Sequence, residues 1–358
     1  MVSRLACVTR LKLGFTLTGE GVEGPAGSPP MISVVIPTRG RAASVRRALA
    51  ALALQDLPSG EFEVIVSVDG PDEETVDLIR SFASPYVLRA VEGPGGGRAG
   101  ACNAALRAAD GDVVVILDDD MEPAPACLRR HCEHHAQETR LCVMGAVPVR
   151  IDGATPRAGR YVAWKFDRHL ANLAEPAHVF GLRDFYSGNA SIRLDVLREA
   201  GLFDESFTQY GNEDLELSLR LRAAGVRLLY DGDALAYQHY EKDLRALARD
   251  TFEKGMTAVL LARSHPGTFD ELQLATYRGH SLPWYALLRL RPASLVLRAA
   301  EVAERTPVAR RPMFYVLVLD YFYWLGVRSA LGEGPAVGRL AQLAVDLRHG
   351  PIGLLLHR

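Results

Sequence analysis

The chain has 358 residues, of which 48% are hydrophobic and 23% are charged, and its formal net charge is -2. This composition is that of an ordinary globular protein with enough apolar material for a large core, and the length suggests two domains or one large domain with an extension. The nearly neutral charge balance argues against the basic surface typical of nucleic-acid binding, so we expect no nucleic-acid partner.

The first thirty residues carry no strong structural signal. Arg4, Arg10 and Lys12 precede no long apolar segment, which argues against a secretory signal peptide. Residues 20–30 are rich in Gly, Pro and Ser, a composition typical of a linker. We therefore expect a flexible N-terminal extension over residues 1–30, with Met31 as an alternative start.

From Ile32 onward, predicted strands and helices alternate. Short β-branched runs predict buried strands at residues 32–36, 63–68, 86–91 and 113–117. Helically spaced apolar residues predict helices between them, at residues 45–54, 73–82 and 101–109. This alternation predicts the α/β class, with a mostly parallel, Rossmann-like sheet flanked by helices. Ligands bind such sheets at the carboxyl ends of the strands.

The pattern after Asp120 is less regular. Helices are predicted at residues 125–139, 195–200 and 214–224, and strands at residues 141–150 and 227–230. A polar and aromatic stretch without an assigned element fills most of the interval between residues 150 and 187. The chain then reads as helical from about Leu244 to its end. We therefore predict a catalytic domain over residues 31–244 and a mainly helical C-terminal subdomain over residues 245–358.

The cysteines predict reduced thiols rather than a metal or disulfide framework. There are five, an odd number, and their spacing matches no CxxC zinc pattern. Cys127 and Cys132 lie beside His131, His134 and His135 in a polar stretch with helical character. We interpret that stretch as the solvated face of a helix.

The strongest chemical signal is Asp118-Asp119-Asp120, directly after an apolar strand. Adjacent carboxylates repel one another, and a fold tolerates them best when a cation neutralises them. Their hard oxygen ligands suit Mg²⁺ or Mn²⁺ bound together with a phosphate-bearing substrate. Because a strand alternates sides, Asp118 and Asp120 are expected to face one way and Asp119 the other, as a D-x-D motif. The alternative is a solvated turn with a helix-capping aspartate.

A second acidic pair and a histidine follow later in the chain. Glu213-Asp214 stands after a glycine-containing loop, at the start of a predicted helix. One interpretation is a helix cap, and the other is a general base that takes a proton from an attacking hydroxyl. His239 lies just past another apparent strand and is either structural or completes a metal site with Asp120.

The glycine cluster allows an alternative function. Gly95, Gly97 and Gly100 satisfy G-x-G-x-x-G after a strand and before a helix, which is the formal fingerprint of a nicotinamide-dependent oxidoreductase. Two predicted strands precede this cluster, although the fingerprint normally follows the first strand. In addition, the fingerprint requires one acidic residue to bind the ribose, whereas three follow here, at Asp118-Asp119-Asp120. No GxxxxGK[ST] motif is present, which argues against a P-loop nucleotide hydrolase.

Taken together, these residues resemble glycosyltransferase family 2, whose members have the GT-A fold. The resemblance runs from Ile32 to about Tyr240. Its landmarks, in chain order, are Val34-Val35-Ile36-Pro37-Thr38-Arg39, Val66-Ser67-Val68-Asp69-Gly70, Gly97-Arg98-Ala99-Gly100-Ala101-Cys102-Asn103, Ile116-Leu117-Asp118-Asp119-Asp120-Met121, Gly188-Asn189 and Glu213-Asp214.

The resemblance implies roles for individual residues. On the donor side, it places the following residues around the nucleotide, its ribose and its phosphates: Pro37, Thr38, Arg39, Asp69, Arg98, Asn103, Asp118 and Asp119. It implies that Asp69 bonds the base, that Asp120 and His239 hold the metal, and that Asp214 is the catalytic base with Glu213 beside it. It further implies that Gly188, Asn189 and Tyr210 contact the acceptor or the sugar.

The expected function is that of an inverting, Mn²⁺- or Mg²⁺-dependent glycosyltransferase. It would move a sugar from a nucleotide-diphosphate donor, with UDP favoured, to a hydroxyl of a saccharide, lipid-linked or small-molecule acceptor, in polysaccharide or glycoconjugate biosynthesis. The alternatives are a non-catalytic nucleotide-sugar binding module and a nucleotidyltransferase.

The C-terminal part is rich in aromatic residues and arginines. We expect its helices to pack on the catalytic domain, with an acceptor platform, a homodimer contact or a peripheral membrane anchor as alternatives. The expected location is cytoplasmic, or peripheral at the inner face of the membrane.

Overall fold

The computed structural model describes residues 30–272, 274 and 293–332. Its central sheet contains seven strands, namely β1 (Ile32–Thr38), β2 (Phe62–Asp69), β3 (Val87–Gly93), β4 (Val113–Leu117), β6 (Leu141–Gly145), β7 (Asn189–Arg193) and β8 (Arg227–Asp231). A separate antiparallel pair is formed by β5 (Met121–Pro123) and β9 (Ala236–Gln238). The N-terminal extension predicted over residues 1–30 lies outside the described residues, apart from Pro30.

The order of strands in the sheet is β3-β2-β1-β4-β7-β6-β8. The pairs β1–β2, β2–β3, β1–β4 and β6–β8 are parallel, whereas β7 runs antiparallel to both of its neighbours. Val34 of β1 aligns with Val64 on one side and Val115 on the other. The predicted mostly parallel sheet is therefore confirmed, with one reversed strand in its interior.

Helices cover both faces of this sheet and extend beyond its last strand. Their bounds are α1 (Ala42–Leu52), α2 (Glu73–Ser81), α3 (Arg98–Ala108), α4 (Cys127–His135), α5 (Arg157–Leu173), α6 (Leu194–Glu199), α7 (Glu213–Ala223), α8 (Leu244–Ser264), α9 (Ala293–Glu304) and α10 (Pro312–Ala330). The polar and aromatic stretch without a predicted element thus contains the 17-residue helix α5.

The central strand β1 shows why the sheet forms a core on both faces. Side chains alternate along a strand, so Val34 and Ile36 enter one apolar cluster while Val35 enters the other. Every residue of β1 is buried, which explains its continuous apolar run. Each fully buried Val or Ile contributes about 1.5–3 kcal/mol of transfer free energy, so β1 anchors the polar residues that follow it.

The C-terminal helices α8 and α10 pack against residues of the preceding α/β part of the chain. Leu182 and Phe207, which precede α8 in the chain, lie in one apolar cluster with Leu261, Tyr321 and Trp324. This packing agrees with the expectation for the C-terminal part. The aromatic residues Trp284 and Tyr285 of that part lie outside the described residues. No described helix has both the length and the apolar character that crossing a bilayer requires.

Two glycines allow α8 and α10 to cross in close contact. A Cβ atom on Gly255 would overlap the carbonyl oxygen of Tyr323, and one on Gly326 would overlap the carbonyl oxygen of Phe252. Alanine is the better helix former by about 1 kcal/mol, so helix propensity alone predicts that Gly255→Ala stabilises the protein. The overlap predicts instead that Gly255→Ala destabilises the protein.

We expect Gly255→Ala to lower the free energy of unfolding by about 1–3 kcal/mol, because the two helices must separate to admit the methyl group. Denaturant unfolding of the full chain measures this change. Gly267→Ala is the matched control, since no atom of the described residues lies within 4 Å of the position that a Cβ would take there. A Gly255→Ala midpoint at or above that of the unmodified protein would contradict the close crossing.

The histidine-rich helix α4 corrects one prediction, since its face with Cys127, His131, Cys132 and His135 is buried and not solvated. The strand β7 supplies the polar partners for this face. His131 Nδ1 and His135 Nε2 each lie 2.8 Å from Ser191 Oγ. The cysteines within the described ranges are free and buried, and they are Cys102, Cys127, Cys132 and Cys142.

Acid will destabilise the fold through these two histidines. Burial lowers the pKa of His131 to about 4 and that of His135 to about 3. The unfolded chain, with a histidine pKa of about 6.5, therefore binds more protons than the folded chain below that pH. Stability that is fully present above pH ~6.5 falls as the pH decreases toward ~4, by up to about 1.4 kcal/mol per pH unit for each histidine.

The comparison of unfolding free energies for the unmodified protein and His131→Gln tests this linkage. Between pH ~4 and ~6.5 the slope of the variant will be shallower by up to about 1.4 kcal/mol per pH unit. At higher pH the two curves will run parallel, which provides an internal control. Equal slopes in the acid range would show that His131 does not titrate on unfolding.

Candidate active site

The predicted polar residues meet at one edge of the sheet. The strands β1, β2 and β4 are parallel and end at Thr38, Asp69 and Leu117, so their following loops lie side by side. Pro37 and Thr38 are the last, buried residues of β1. The first turn of α3 and that of α7 face the same edge and bring Arg98 and Glu213 to it.

Arg98 joins the two acidic segments. Its Nε and Nη2 atoms donate to Asp118 Oδ1 at 3.1 and 2.7 Å, and its Nη1 atom lies 3.6 Å from Glu213 Oε1. The guanidinium carbon also lies 5.8 Å from the ring centre of Phe203. A carboxylate predicted on the donor side and one predicted for catalysis therefore share one cation, and we call the region around Arg98, Asp118 and Glu213 the cleft.

Asp119 and Asp120 lie in the turn between β4 and β5 and not on a strand, so the alternation that was predicted for this segment does not apply to them. The Asp119 carboxylate accepts from Thr38 Oγ1 at 2.7 Å and from Arg41 Nη1 at 2.5 Å. Both oxygens are therefore used within the protein, and Asp119 fixes the end of β1 behind the cleft. Arg41, which was not among the predicted residues, also lies 3.6 Å from Asp120 Oδ2. The signal that could have found it was its position two residues after Arg39 at the same strand end.

Asp120 is buried, and its Oδ1 atom has no hydrogen-bond partner among the described residues. Burial and the neighbouring charge of Asp118 raise its pKa, and Arg41 and Lys242 oppose that rise. A buried carboxylate oxygen without a partner is unfavourable, and a divalent cation would satisfy it. Asp120 thus fits the role of a metal ligand.

The second predicted metal ligand, His239, is directed elsewhere in this structure. Its Nε2 atom lies 2.5 Å from Glu122 Oε2, while its backbone N–H donates to the carbonyl of Asp120 at 2.9 Å. Within the described part of the chain, no three His, Cys, Asp or Glu side chains form a ready metal-binding group. Mg²⁺ commonly takes one or two carboxylates and completes its shell with phosphates and water, so Asp120 satisfies that pattern without His239.

Asp69 lies at the end of β2, where the resemblance predicts the nucleotide base. Its Oδ2 atom accepts the Gly97 N–H at 3.0 Å and lies 3.6 Å from the exposed Arg39 guanidinium. Its Oδ1 atom is buried, and no described residue donates a hydrogen bond to it. Gly97 has a φ of +97°, and a Cβ there would lie 2.6 Å from the Thr208 carbonyl oxygen. The glycine cluster therefore packs tightly against Asp69 and leaves one carboxylate oxygen unused.

Glu213 and Asp214 begin α7 but differ in exposure. Glu213 is buried, and burial together with the charge of Asp214 raises its pKa to about 7 against the opposing effect of Arg98. Asp214 is half-buried, and its Oδ1 atom accepts the Leu215 N–H at 2.8 Å. Burial raises the pKa of Asp214 as well. The more accessible Asp214 is therefore better placed to meet a substrate hydroxyl.

The loop before α7 holds this acidic pair in position. Asn212 adopts a left-handed conformation with φ of +70°, and its Nδ2 atom donates to the Lys254 carbonyl and to Thr257 Oγ1. The ring centre of Tyr210 lies 4.6 Å from Lys242 Nζ and 5.1 Å from Lys254 Nζ. Tyr210 is thus placed beside the acidic pair, between two ammonium groups.

Gly188 is hydrogen-bonded to Asp118 through its backbone. Its carbonyl accepts the Asp118 N–H at 3.0 Å, and a Cβ atom at this position would lie 2.6 Å from Asp118 Oδ2. Only glycine allows this approach without displacing the carboxylate. Gly188 contacts Asp118 through its backbone, and its contact with the acceptor or sugar stays a prediction.

Two predicted binding residues lie outside the cleft, which is a correction. The Asn103 amide donates to the Phe203 carbonyl and to Glu205, and its oxygen accepts the Phe203 N–H, so it fixes a loop. Asn189 is fully buried and donates to the Ala234 carbonyl at 2.8 Å. Both amides are consumed within the protein and have no direct path to a ligand in this structure.

The comparison with protein families decides among the alternatives. The family model described as "Glycosyl transferase family 2" matches residues 33–201, which include most of β1, all of β2 to β4 and the Asp118–Asp120 segment.

Residues 33–201 form a glycosyltransferase family 2 domain. The predicted resemblance is confirmed, and the nicotinamide-dependent oxidoreductase is wrong, because the glycine cluster lies within the matched family segment. Two similar proteins are also glycosyltransferases by name. Validoxylamine A glucosyltransferase of Streptomyces hygroscopicus subsp. jinggangensis is 29% identical over 293 residues, which are 72% of this chain and 66% of that protein.

A second relative is the pre-mycofactocin glycosyltransferase of Mycobacterium tuberculosis. It is 30% identical over 239 residues, which are 66% of this chain and 48% of that protein. The chain thus spans about half of one relative and about two thirds of the other.

Solved structures confirm the GT-A fold. The mannosyltransferase PcManGT from Pyrobaculum calidifontis, in complex with GDP-Man and Mn²⁺, superposes with a TM-score of 0.56 at 21% identity, covering 86% of this chain and 89% of that one. TarS of S. aureus gives a TM-score of 0.50 at 16% identity, covering 83% of this chain and 55% of that one.

Proposed function

We propose that the chain is an inverting glycosyltransferase that moves a sugar from a nucleotide-diphosphate donor to an acceptor hydroxyl. The observation that supports this function most directly is the Arg98 bridge, in which one guanidinium lies within ion-pair distance of both Asp118 and Glu213. In a glycosyltransferase, the carboxylates that bind the donor and those that act in catalysis must lie close enough to contact the same bound substrate. The Arg98 bridge holds one carboxylate of each kind close together.

The donor is proposed to be a uridine diphosphate sugar. The unused Oδ1 atom of Asp69 is an acceptor at the base end of the cleft, and the imide N–H of uracil is a matching donor. Arg39 is exposed at the same end and is available to the base or ribose. GDP sugars are the competing class, since PcManGT was solved with GDP-Man.

The metal is proposed to be Mn²⁺ or Mg²⁺, held by Asp120 and by the diphosphate. Bound there, it would neutralise the charge that develops on the leaving diphosphate. The residues of the chain perform the other tasks: Arg98 holds Asp118 toward the sugar, and Asp119 with Arg41 fixes the floor beside it.

Asp214 is proposed as the general base. It accepts the proton of the acceptor hydroxyl while that oxygen forms its bond to the anomeric carbon. The bond from that carbon to the diphosphate oxygen breaks on the opposite face, and its electron pair leaves with the diphosphate. The configuration is therefore inverted. Glu213 is buried beside Asp214 and holds Arg98, which positions the donor-side carboxylate.

A screen of UDP-, GDP- and dTDP-sugars with Mn²⁺ tests the proposal. We expect one class to raise the melting temperature and to release its nucleoside diphosphate when an acceptor is supplied. Stabilisation without nucleotide release by any acceptor would indicate a binding module. Pyrophosphate release from a nucleoside triphosphate would indicate a nucleotidyltransferase.

A further inference from the structure

The end of α9, the following turn and the start of α10 expose apolar side chains to solvent. The exposed fractions of Val302, Val308, Met313 and Leu317 are 66%, 58%, 61% and 52%. Leu295 is also exposed, and it lies seven residues before Val302, on the same face of α9. Apolar side chains spaced singly on a surface are ordinary, but these four lie within sixteen residues, on two helices joined by a short turn. We refer to these four side chains as the patch.

Three arginines border this patch. Arg305, Arg310 and Arg311 are exposed, and no carboxylate of the described residues lies within salt-bridge distance of them. The two nearest acidic residues in the chain already have partners: Glu301 lies 2.7 Å from Arg245, and Glu304 accepts from the Tyr315 hydroxyl at 2.9 Å. The patch is therefore both apolar and cationic.

The patch rests on a packed support that connects it to the active site. Tyr315 is buried in one cluster with Ala309 and Leu244, and its ring stacks on Tyr161 at 4.7 Å between centres. Leu244 begins α8 two residues after Lys242, whose ammonium lies over Tyr210 beside the catalytic pair. The exposed side chains thus contribute little to the core, and the support beneath them continues to the cleft.

We propose that this α9–α10 surface, defined by Val302, Arg305, Val308, Arg310, Arg311, Met313 and Leu317, docks on an anionic lipid bilayer. Apolar side chains that enter the interface and arginines that meet anionic headgroups are the two contributions that peripheral membrane binding combines. A second copy of the chain is a poorer partner. In a symmetric dimer through this patch the three arginines of each copy would face those of the other, and like charges repel.

The surface also suits the proposed chemistry. A lipid-linked hydroxyl is one of the expected acceptor classes, so docking would bring the protein to the surface that carries such an acceptor. Docking does not depend on the proposed function, since it needs only the exposed surface.

Sedimentation of the full chain with lipid vesicles tests the proposal. The vesicles contain phosphatidylcholine alone or phosphatidylcholine mixed with phosphatidylglycerol. We expect the unmodified protein to prefer the anionic vesicles and to lose that preference at high salt. R310Q/R311Q will weaken binding to anionic vesicles about 30-fold, since each arginine near the membrane contributes roughly a factor of 5. M313S/L317S will weaken it about tenfold or more.

Matched controls separate the surface from general changes. R80Q and L54S alter residues that are also exposed, on α2 and just after α1, and both variants are expected to bind vesicles like the unmodified protein. Donor turnover with a water-soluble acceptor will be unchanged in all four variants.

Three results would overturn the proposal. The first is equal binding to both kinds of vesicle. The second is unchanged vesicle binding by both surface variants, which would place the contact on another segment. The third is loss of a dimer in M313S/L317S, measured by light scattering, without any change in vesicle binding.

Discussion

Asp214→Asn will lower kcat by about 10²–10⁴ and leave the affinity for the donor nearly unchanged. Asparagine keeps the shape of the side chain and the hydrogen bond from the Leu215 N–H, but its amide cannot take a proton from the acceptor hydroxyl. The donor-side contacts at Asp69, Arg98 and Asp118 remain in place. Single-turnover rates together with donor binding by calorimetry separate these two effects.

The pH profile gives a second measurement of the same role. Burial raises the pKa of Asp214 above its ordinary value, so kcat of the unmodified enzyme will fall as the pH decreases through that raised pKa. Residual turnover of Asp214→Asn will lack this acidic limb, since no proton acceptor titrates there.

Glu213→Gln is the matched control for the assignment of the base. It removes the neighbouring charge but keeps Asp214, so we expect a weaker effect on kcat, caused by loosened positioning of Arg98. Normal turnover in Asp214→Asn together with an inactive Glu213→Gln would assign the base to Glu213. Loss of donor binding in Asp214→Asn would instead show that the residue holds the donor.

The first half of the fold was predictable because its signals are local. The strands β1, β2 and β4 are buried on both faces, and such strands appear as unbroken β-branched runs. The strand β7 escaped prediction because Asn189 and Ser191 are polar residues at buried positions. Their hydrogen-bond partners His131 and His135 lie more than fifty residues away in the chain. A strand whose burial depends on distant partners carries no such local pattern.

The helix α5 was missed for a different reason. Its buried residues Ala158, Val162, Ala163 and Leu170 follow helical spacing, so the periodic signal existed. Aromatic and charged residues between them, such as Trp164 and Lys165, obscure it. Periodicity must be counted along the segment, because average polarity does not show it.

The chemistry of the site was partly predictable. Asp119 and Asp118 have separate partners, since the former contacts Thr38 and the latter contacts Arg98. The cause is the turn after β4 and not strand alternation, because Arg41 lies near both Asp119 and Asp120. The partners of these carboxylates were less accessible to prediction. Arg41 reaches Asp119 across 78 positions of the chain, and this contact depends on how α1 is set against the strand end. Pairings between elements follow from tertiary packing and not from spacing.

Asp120→Asn will remove the response of the enzyme to divalent ions. In the unmodified protein, we expect Mn²⁺ to tighten nucleotide-sugar binding, and in the variant titrations with and without Mn²⁺ will give the same affinity. A metal that neutralises a leaving diphosphate contributes several kcal/mol to the transition state, so kcat/KM will fall by about 10²-fold or more. His239→Gln is the comparison variant. Because its ring contacts Glu122, we expect it to retain the Mn²⁺ response.

Although Asp120→Asn lowers activity, we expect it to raise the stability of the fold when no divalent ion is present. Asp120 keeps a buried oxygen without a partner among the described residues, and its raised pKa means that the folded state disfavours the ionised carboxylate near neutral pH. Asparagine removes that buried charge, so without divalent ions the melting temperature of Asp120→Asn will exceed that of the unmodified protein. Excess Mn²⁺ with the donor will narrow or reverse the difference, since only the unmodified protein gains binding free energy from the ion. A variant that melts lower than the unmodified protein in both conditions would mean that the contact with Arg41 outweighs the buried charge, and that Asp120 is held for structure and not for an ion.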